Sequence, residues 1–307
     1  MAFLVKGGDW LVDGSSNLAR RYKISELAIG LTIVAFGTSA PEFVVSLVAS
    51  LDAHPEIALG NVIGSNNFNL FFILGLTGMI APVAVQRNTV RMEIPLSLLA
   101  AVVLFLFGNY GFASDVNLIS RIEGLILLVL FVSFLYYVYK SMKTDEAGDG
   151  TSSTAVFSLG KSLLFVFLGL ICLVAGGKIV VSASVDLARA LHISEKIIGL
   201  TIVAVGTSLP ELVTSITAIV KKSNDIAIGN IIGSNIFNIF FILGTSAVVC
   251  PIEYSPVFNR DIYLLIAGTL LLIMAMFTGK KRCLDRWEAA ILFVLYAGYI
   301  VYLIMNE

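Results

Sequence analysis

Charged side chains are scarce: Asp, Glu, Lys and Arg make up 13% of the 307 residues, against 58% apolar residues and a mean hydropathy of +0.94. That leaves too little polar surface to cover a water-soluble domain of this size. Histidine is confined to His54 and His192, both in loop-like stretches, so no imidazole metal cluster or histidine-based catalytic centre suggests itself. The three cysteines, Cys172, Cys250 and Cys283, are odd in number, widely spaced and in or beside apolar runs. They form neither a disulfide framework nor a zinc motif and read as packing residues. The net charge of -1 offers no footprint for nucleic acid or another anionic partner. A cleavable signal peptide is not expected, because Lys6 and Asp9 interrupt any apolar leader.

What is present is long apolar runs. A bilayer core about 30 Å thick takes roughly 20 apolar residues per helix, whereas a β-barrel would show short alternating segments. Ten membrane segments are expected, at 1–20, 25–50, 57–80, 94–112, 121–140, 159–189, 195–220, 226–249, 262–278 and 286–304. The first starts abruptly, reaching Lys6 and Asp9 without the long apolar lead that its counterpart has from Leu163 to Ala175, so part of this helix is expected to be missing. Of the 20 Lys and Arg residues, 14 fall in loops after odd-numbered segments and 4 in the opposite loops. The positive-inside rule then makes the first set cytoplasmic and places both termini outside the cell membrane.

The chain repeats itself. A shift of 169 residues aligns ISELAIGLTIVAFGTSAPEFVVS (24–46) with ISEKIIGLTIVAVGTSLPELVTS (193–215), and GNVIGSNNFNLFFILG (60–75) with GNIIGSNIFNIFFILG (229–244). From Ser25 to Gly75, 32 of 51 positions are identical without a gap, and Arg121 and Glu123 align further on with Arg286 and Glu288. The division is a first five-helix repeat over 1–142 with a truncated first helix, a cytoplasmic linker over 143–158, and a second repeat over 159–307. Five crossings is an odd number, so the second copy enters from the opposite side. Inverted halves with a binding site at their midplane interface are a common construction of secondary transporters.

The most similar stretches are also the least hydrophobic. Gly37, Thr38, Ser39, Pro41 and Glu42 interrupt one apolar helix near its middle, and Gly206, Thr207, Ser208, Pro210 and Glu211 repeat the interruption. Proline removes a backbone donor and glycine relaxes the turn, so both helices should break, exposing carbonyls near Ala35 and Thr38 and near Ala204 and Thr207. Unpaired carbonyls at membrane depth are tolerated only where they line a cavity or coordinate something. A charge at mid-membrane costs on the order of 2.5–3.5 kcal/mol, yet no Lys or Arg lies in either apolar span to neutralise Glu42 or Glu211. A bound cation is the natural counter-charge. Ser65 with Asn69, and Ser234 with Asn238, are spaced i, i+4 and project toward the same point, with Asn61 and Asn230 a turn further back. The GxxxG spacings at Gly60–Gly64 and Gly229–Gly233 read as close helix packing, and Phe71, Phe72, Phe240 and Phe241 as lipid-facing or core residues. An all-oxygen donor set suits hard cations: Ca²⁺ takes about 6–8 oxygens in flexible geometry. Two glutamates balance one Ca²⁺, and the same cluster could host several Na⁺; mutually exclusive occupancy is the condition for antiport.

GTSAPE (37–42) and GTSLPE (206–211), paired with GNVIGSNNFN and GNIIGSNIFN, resemble the two α-repeats of the cation/calcium exchanger superfamily, specifically its prokaryotic sodium/calcium exchangers. The resemblance implies an all-α integral membrane fold of ten helices in two inverted five-helix repeats. Four broken helices would pack as a diamond around a row of cation sites while two long tilted helices slide across them. It implies Glu42 and Glu211 as central Ca²⁺ and Na⁺ ligands, and Ser39, Ser208, Ser65 and Ser234 with the carbonyls of Ala35 and Ala204 for Na⁺. Thr38 and Thr207 would offer carbonyls to Ca²⁺, and Asn69 and Asn238 complete the centre. The sliding pair would be segments one and six, with Asp13 and Ser182 at equivalent places. Some relatives, including potassium-dependent exchangers, carry aspartate where this chain has Asn238, which weighs against a potassium requirement. The glutamate usual in the Gly-Asn motifs of the proton-coupled branch is absent.

The expected function is sodium/calcium antiport, electrogenic, with Ca²⁺ and Na⁺ as transported ions, the bilayer as surroundings, and neither a cofactor nor an obligate protein partner. The alternatives are potassium-dependent or proton-coupled calcium exchange on the same fold, a cation channel, and an intramembrane enzyme. A channel does not need inverted halves. An intramembrane hydrolase would need a catalytic serine with a base, an aspartate pair or a zinc motif, none of which the sequence offers.

Overall fold

A computed structural model of the protein describes residues 2–52, 54–111, 117–144, 157–190 and 204–305. Most of the linker over 143–158 and the opening of the seventh segment, 195–203, lie outside the described residues. In their described residues the ten segments are helical. They comprise Ala2–Tyr22; Glu26–Thr38 with Ala40–Leu51; Pro55–Asn67 running on to Ile80; Thr89–Tyr110; Arg121–Thr144; Leu159–Ala190; Ala204–Thr207 with Leu209–Val220; Asn224–Ile236 running on to Val249; Asn259–Ala275; and Arg286–Met305. Among the described residues, seven helices are long and apolar enough to cross a membrane, and the bent second segment makes an eighth. The chain is a multi-pass all-α membrane protein.

Burial sorts these helices. In their most apolar stretches the third and eighth segments are 78% and 94% buried, whereas the fourth, fifth, sixth, ninth and tenth range from 22% to 44%. The two repeats of the Gly-Asn motif therefore run through the centre, and the apolar helices around them face lipid. Phe71 and Phe240, read from sequence as lipid-facing or core, are fully buried, while Phe72 and Phe241 are half-buried. Phe72 stacks on Phe68 with centroids 4.7 Å apart, and Phe241 stacks on Phe43 at 5.1 Å.

The second segment bends by 48° at Ser39, where Pro41 removes an amide donor from the helix. The seventh breaks at Ser208 in the same way. The third and eighth segments each hold a π-helical stretch, Phe68–Ile73 and Phe237–Leu243, which contain Asn69 and Asn238. Periodicity reads straight α-helix there. The fourth segment also starts earlier than the expected residue 94, through a π stretch at Thr89–Glu93 that precedes Pro95.

Among the described residues, four two-residue strands tie the ends together. β1 (Val83–Ala84) pairs antiparallel with β4 (Cys283–Leu284), and β2 (Leu118–Ile119) pairs with β3 (Ile252–Glu253). The loop after the third segment thus meets the loop after the ninth, and the loop after the fourth meets that after the eighth. Loops after odd-numbered segments share one face and loops after even-numbered segments the other, as inverted halves require.

The first and sixth segments approach each other's backbone closely at their glycines. A Cβ on Gly7 would lie 2.9 Å from the Gly169 carbonyl, one on Gly169 would lie 2.7 Å from the Leu11 amide, and one on Gly14 would lie 2.8 Å from the Ser162 carbonyl. Asn17 closes the contact, donating to Ser162 Oγ at 2.6 Å and accepting the Phe157 amide at 3.1 Å. Asp13 accepts from Lys221 Nζ at 2.7 Å, with Asp9 3.2 Å away, and so ties this pair to the end of the seventh segment. Ser182, its equivalent by sequence, is exposed on the long sixth helix.

Candidate cation site

Each break places a serine before a new helix and a glutamate in that helix's first turn. Ser39 has φ -79° and ψ 7°, Ser208 φ -87° and ψ 9°, so the two breaks adopt one conformation. Glu42 and Glu211 sit in the first turns of Ala40–Leu51 and Leu209–Val220, where the unpaired amides of a helix start favour negative charge. Both are buried, Glu42 at 0% and Glu211 at 1% exposure.

The halves exchange hydrogen bonds at this point. Ser208 Oγ donates to Glu42 Oε1 at 2.8 Å, and Ser39 Oγ donates to Glu211 Oε1 at 2.9 Å. Ser65 Oγ lies 3.0 Å from Ser208 Oγ, and Ser234 Oγ 3.5 Å from Glu211 Oε1. Each serine at a break therefore serves the opposite half's glutamate instead of capping its own helix, and neither side chain makes a cap hydrogen bond. Among the described residues no salt bridge to either glutamate is found.

Four buried oxygens of the expected ligands have no hydrogen-bond partner, Glu42 Oε2, Glu211 Oε2, Asn69 Oδ1 and Asn238 Oδ1, and the helix of each glutamate packs against the π-helical stretch that carries the opposite half's asparagine. Buried acceptors without donors are costly, and a set of them drawn equally from two repeats is what a cation would satisfy. Among the described residues no three His, Cys, Asp or Glu side chains form a metal-binding group, so the donor chemistry is carboxylate, amide, hydroxyl and carbonyl.

The carbonyls need one correction. That of Ala35, expected from sequence to be unpaired, accepts the Ser39 amide at 3.0 Å, because the helix closes one more turn before the break. Thr38 Oγ1 lies 3.3 Å from the same oxygen, so both of its lone pairs have a donor within reach. The carbonyls that the prolines leave without a helical donor belong to Gly37 and Gly206, four residues before Pro41 and Pro210. Nothing is described of the Ala204 side chain. Thr38 and Thr207 are buried beside the breaks, with the Thr38 hydroxyl turned to Asn230 Oδ1 at 2.9 Å.

Asn61 and Asn230 point away from the centre as clamps. Asn61 donates to the Glu42 carbonyl at 3.3 Å and to Ser46 Oγ at 3.0 Å; Asn230 donates to the Glu211 carbonyl at 3.3 Å and to Ser215 Oγ at 3.0 Å. Sequence reasoning passed over Asn66 and Asn235, which bond to Asn238 and Asn69 across the interface of the halves. Their signal was available, since the aligned GSN triplets repeat both residues at equivalent places in the two membrane helices.

The sequence matches the family model described as sodium/calcium exchanger protein over residues 1–140 and again over 161–305. The inner membrane protein YrbG of Escherichia coli is 37% identical over 315 aligned residues, covering 99% of this chain and 94% of YrbG. The sodium/calcium exchanger MaX1 of Methanosarcina acetivorans is 32% identical, with 99% of this chain and 96% of MaX1 covered. Among solved structures, the sodium-calcium exchanger NCX_Mj superposes with a TM-score of 0.83 at 33% identity, over 98% of this chain and 95% of its own. With its repeats, its paired helix breaks and these matches along its whole length, the chain belongs to the sodium/calcium exchanger protein family.

Proposed function

We propose that the chain is a secondary active antiporter that exchanges Na⁺ for Ca²⁺ by alternating access, a transporter and not an enzyme. The observation that carries this reading is the crossed pair of buried glutamates, each held by a serine of the other half and each with a free carboxylate oxygen. Glu42 and Glu211 are the central ligands of both ions. Asn69 and Asn238 complete the centre through their amide oxygens. Ser39, Ser208, Ser65 and Ser234, with the carbonyls of Ala35 and Ala204, serve Na⁺, and the carbonyls of Thr38 and Thr207 serve Ca²⁺. Two carboxylates balance one Ca²⁺ or two Na⁺, so either ion can occupy the centre and exclude the other. The repeats extend over 1–142 and 159–307 with 143–158 as cytoplasmic linker, and both termini face outside the cell membrane. The sodium-calcium exchange named for NCX_Mj and MaX1, at 33% and 32% identity, supports the same pair of ions here.

Calcium uptake into proteoliposomes under imposed Na⁺, K⁺ or H⁺ gradients tests the coupling. Uptake should follow an outward Na⁺ gradient and ignore the other two. Uptake driven by K⁺ or H⁺ with no response to Na⁺ would replace this reading with another coupling ion. Calcium conduction without any counter-ion would make the protein a channel.

A further inference from the structure

Asn66 and Asn235 donate nothing to the proposed ion site, yet both touch the amides that do. They occupy equivalent places in the two repeats and are buried, at 0% and 1% exposure. Asn69 Nδ2 donates to Asn235 Oδ1 at 3.1 Å, and Asn238 Nδ2 donates to Asn66 Oδ1 at 2.9 Å, so each bond joins one half to the other. The amides of these two residues also reach backbone: Asn66 Nδ2 donates to the Asn235 carbonyl at 3.2 Å and Asn235 Nδ2 to the Asn66 carbonyl at 3.4 Å. The four side chains make a closed, self-complementary set in which both Asn66 and Asn235 are themselves fixed.

An asparagine amide has two unlike ends. Rotated by half a turn it offers N–H donors where it had offered an oxygen, and its hydrogen-bond partners decide which way it sits. The bonds to Asn235 and Asn66 engage the Nδ2 ends of Asn69 and Asn238. Their Oδ1 atoms are thereby left buried and without a partner, on stretches that pack against the helices of Glu211 and Glu42. We infer that Asn66 and Asn235 are positioning residues that hold the Asn69 and Asn238 amides with oxygen toward the cation, each half orienting the ligand of the other. A turned amide would aim N–H dipoles at the ion and oppose binding. The inference rests on the reading of Asn69 and Asn238 as ion ligands.

The test uses the fact that a carboxylate carries oxygen at both ends. Asn235→Leu removes the acceptor and should raise the half-saturating Ca²⁺ concentration by about 10–100-fold, the usual cost of losing a residue that orients a metal ligand, with much less effect on maximal turnover. In an Asn69→Asp background the same substitution should change half-saturation by no more than about twofold, because orientation no longer matters; a double-mutant cycle reads the difference. Asn66→Leu with and without Asn238→Asp gives the mirror measurement should the first variant fold poorly, and thermal unfolding in detergent identifies that case. Equal losses in both backgrounds would mark Asn66 and Asn235 as merely structural and overturn the inference, as would unchanged half-saturation in the single variants. Should Asn69→Ala and Asn238→Ala leave calcium exchange intact, the site reading itself falls. Should they abolish exchange while Asn66→Leu and Asn235→Leu do not alter it, only the positioning role falls.

Discussion

Ser39 and Ser208 sit where a serine ordinarily caps a helix, and neither caps. A capping serine is worth roughly 1 kcal/mol to a helix, so its diversion to the other half's glutamate is a local rule broken at a site with another use. Ser39→Ala and Ser208→Ala should each weaken sodium-driven exchange, since a hydrogen bond to a charged group contributes about 1.5–3 kcal/mol. A half-saturating Na⁺ concentration unchanged in both variants, measured by calcium efflux from Na⁺-titrated proteoliposomes, would contradict their placement. Asn238→Asp puts a third carboxylate into a site that two already fill. Its repulsion has to be relieved by another cation or a proton, so the pH and ion dependence of exchange should change while the fold survives. An identical pH profile in wild type and variant would remove Asn238 from the centre. The glutamates, serines and Asn69/Asn238 were legible because the repeat shows each twice in an apolar helix. Asn66 and Asn235 were harder to see: their partners lie in the opposite half, and such pairing is a property of packing, not of spacing.

Broken helices follow from Pro41 and Pro210, and sequence places them within a residue or two. The π stretches at Phe68–Ile73 and Phe237–Leu243 do not follow from composition, because both are apolar and buried on nearly every side and so carry no stripe whose displacement would mark the extra residue. Helix starts were partly readable. Glu123 recurs as Glu288, and the reason is capping of a helix start: the Ser120 amide donates to Glu123 Oε2 at 2.6 Å and the Asp285 amide to Glu288 Oε2 at 2.9 Å. The glycine contacts between segments one and six set a prediction at this scale. A methyl on Gly169 would meet the backbone of Leu11 and Gly7, which cannot yield as a side chain can. Gly169→Ala should therefore cost about 1–3 kcal/mol of stability by overpacking and slow turnover, with half-saturation for Ca²⁺ unaltered if this pair gates and does not bind. Normal turnover at normal stability would mean the two helices tolerate separation. The ties of Lys221 to Asp9 and Asp13 are partly exposed, at 27%, 36% and 42%, and each contributes at most about 1 kcal/mol, less at high salt.

For the whole molecule, the odd number of helices per repeat dictates inversion, and the pairing of β1 with β4 and of β2 with β3 places the loops on the faces that inversion demands. This much could be read from a 169-residue shift and a count of five. The packing of the third and eighth segments at the centre was expected from their paired Ser and Asn positions and from the family resemblance, and hydropathy alone would not have shown it, since it does not distinguish a lipid-facing helix from a buried one. Charge counting gives the prediction at this scale. Two glutamates are neutral with one Ca²⁺ or two Na⁺, and the serines and carbonyls of both halves make room for one Na⁺ more. Exchange would then move net positive charge with sodium, worth about 2.3 kcal/mol per 100 mV, so a negative interior should favour sodium entry and calcium exit. Flux indifferent to a clamped membrane potential would refute the extra sodium.

The central claim is that one carboxylate from each half together form the site through which Na⁺ and Ca²⁺ are exchanged. Sodium-gradient-driven calcium uptake in proteoliposomes, measured side by side for wild type, Glu42→Gln and Glu211→Gln at equal incorporation and with thermal unfolding showing all three folded, addresses it most directly. The account predicts uptake in the wild type and none in either variant, because each substitution removes half of the charge that balances Ca²⁺. Near-normal uptake in either variant would contradict it.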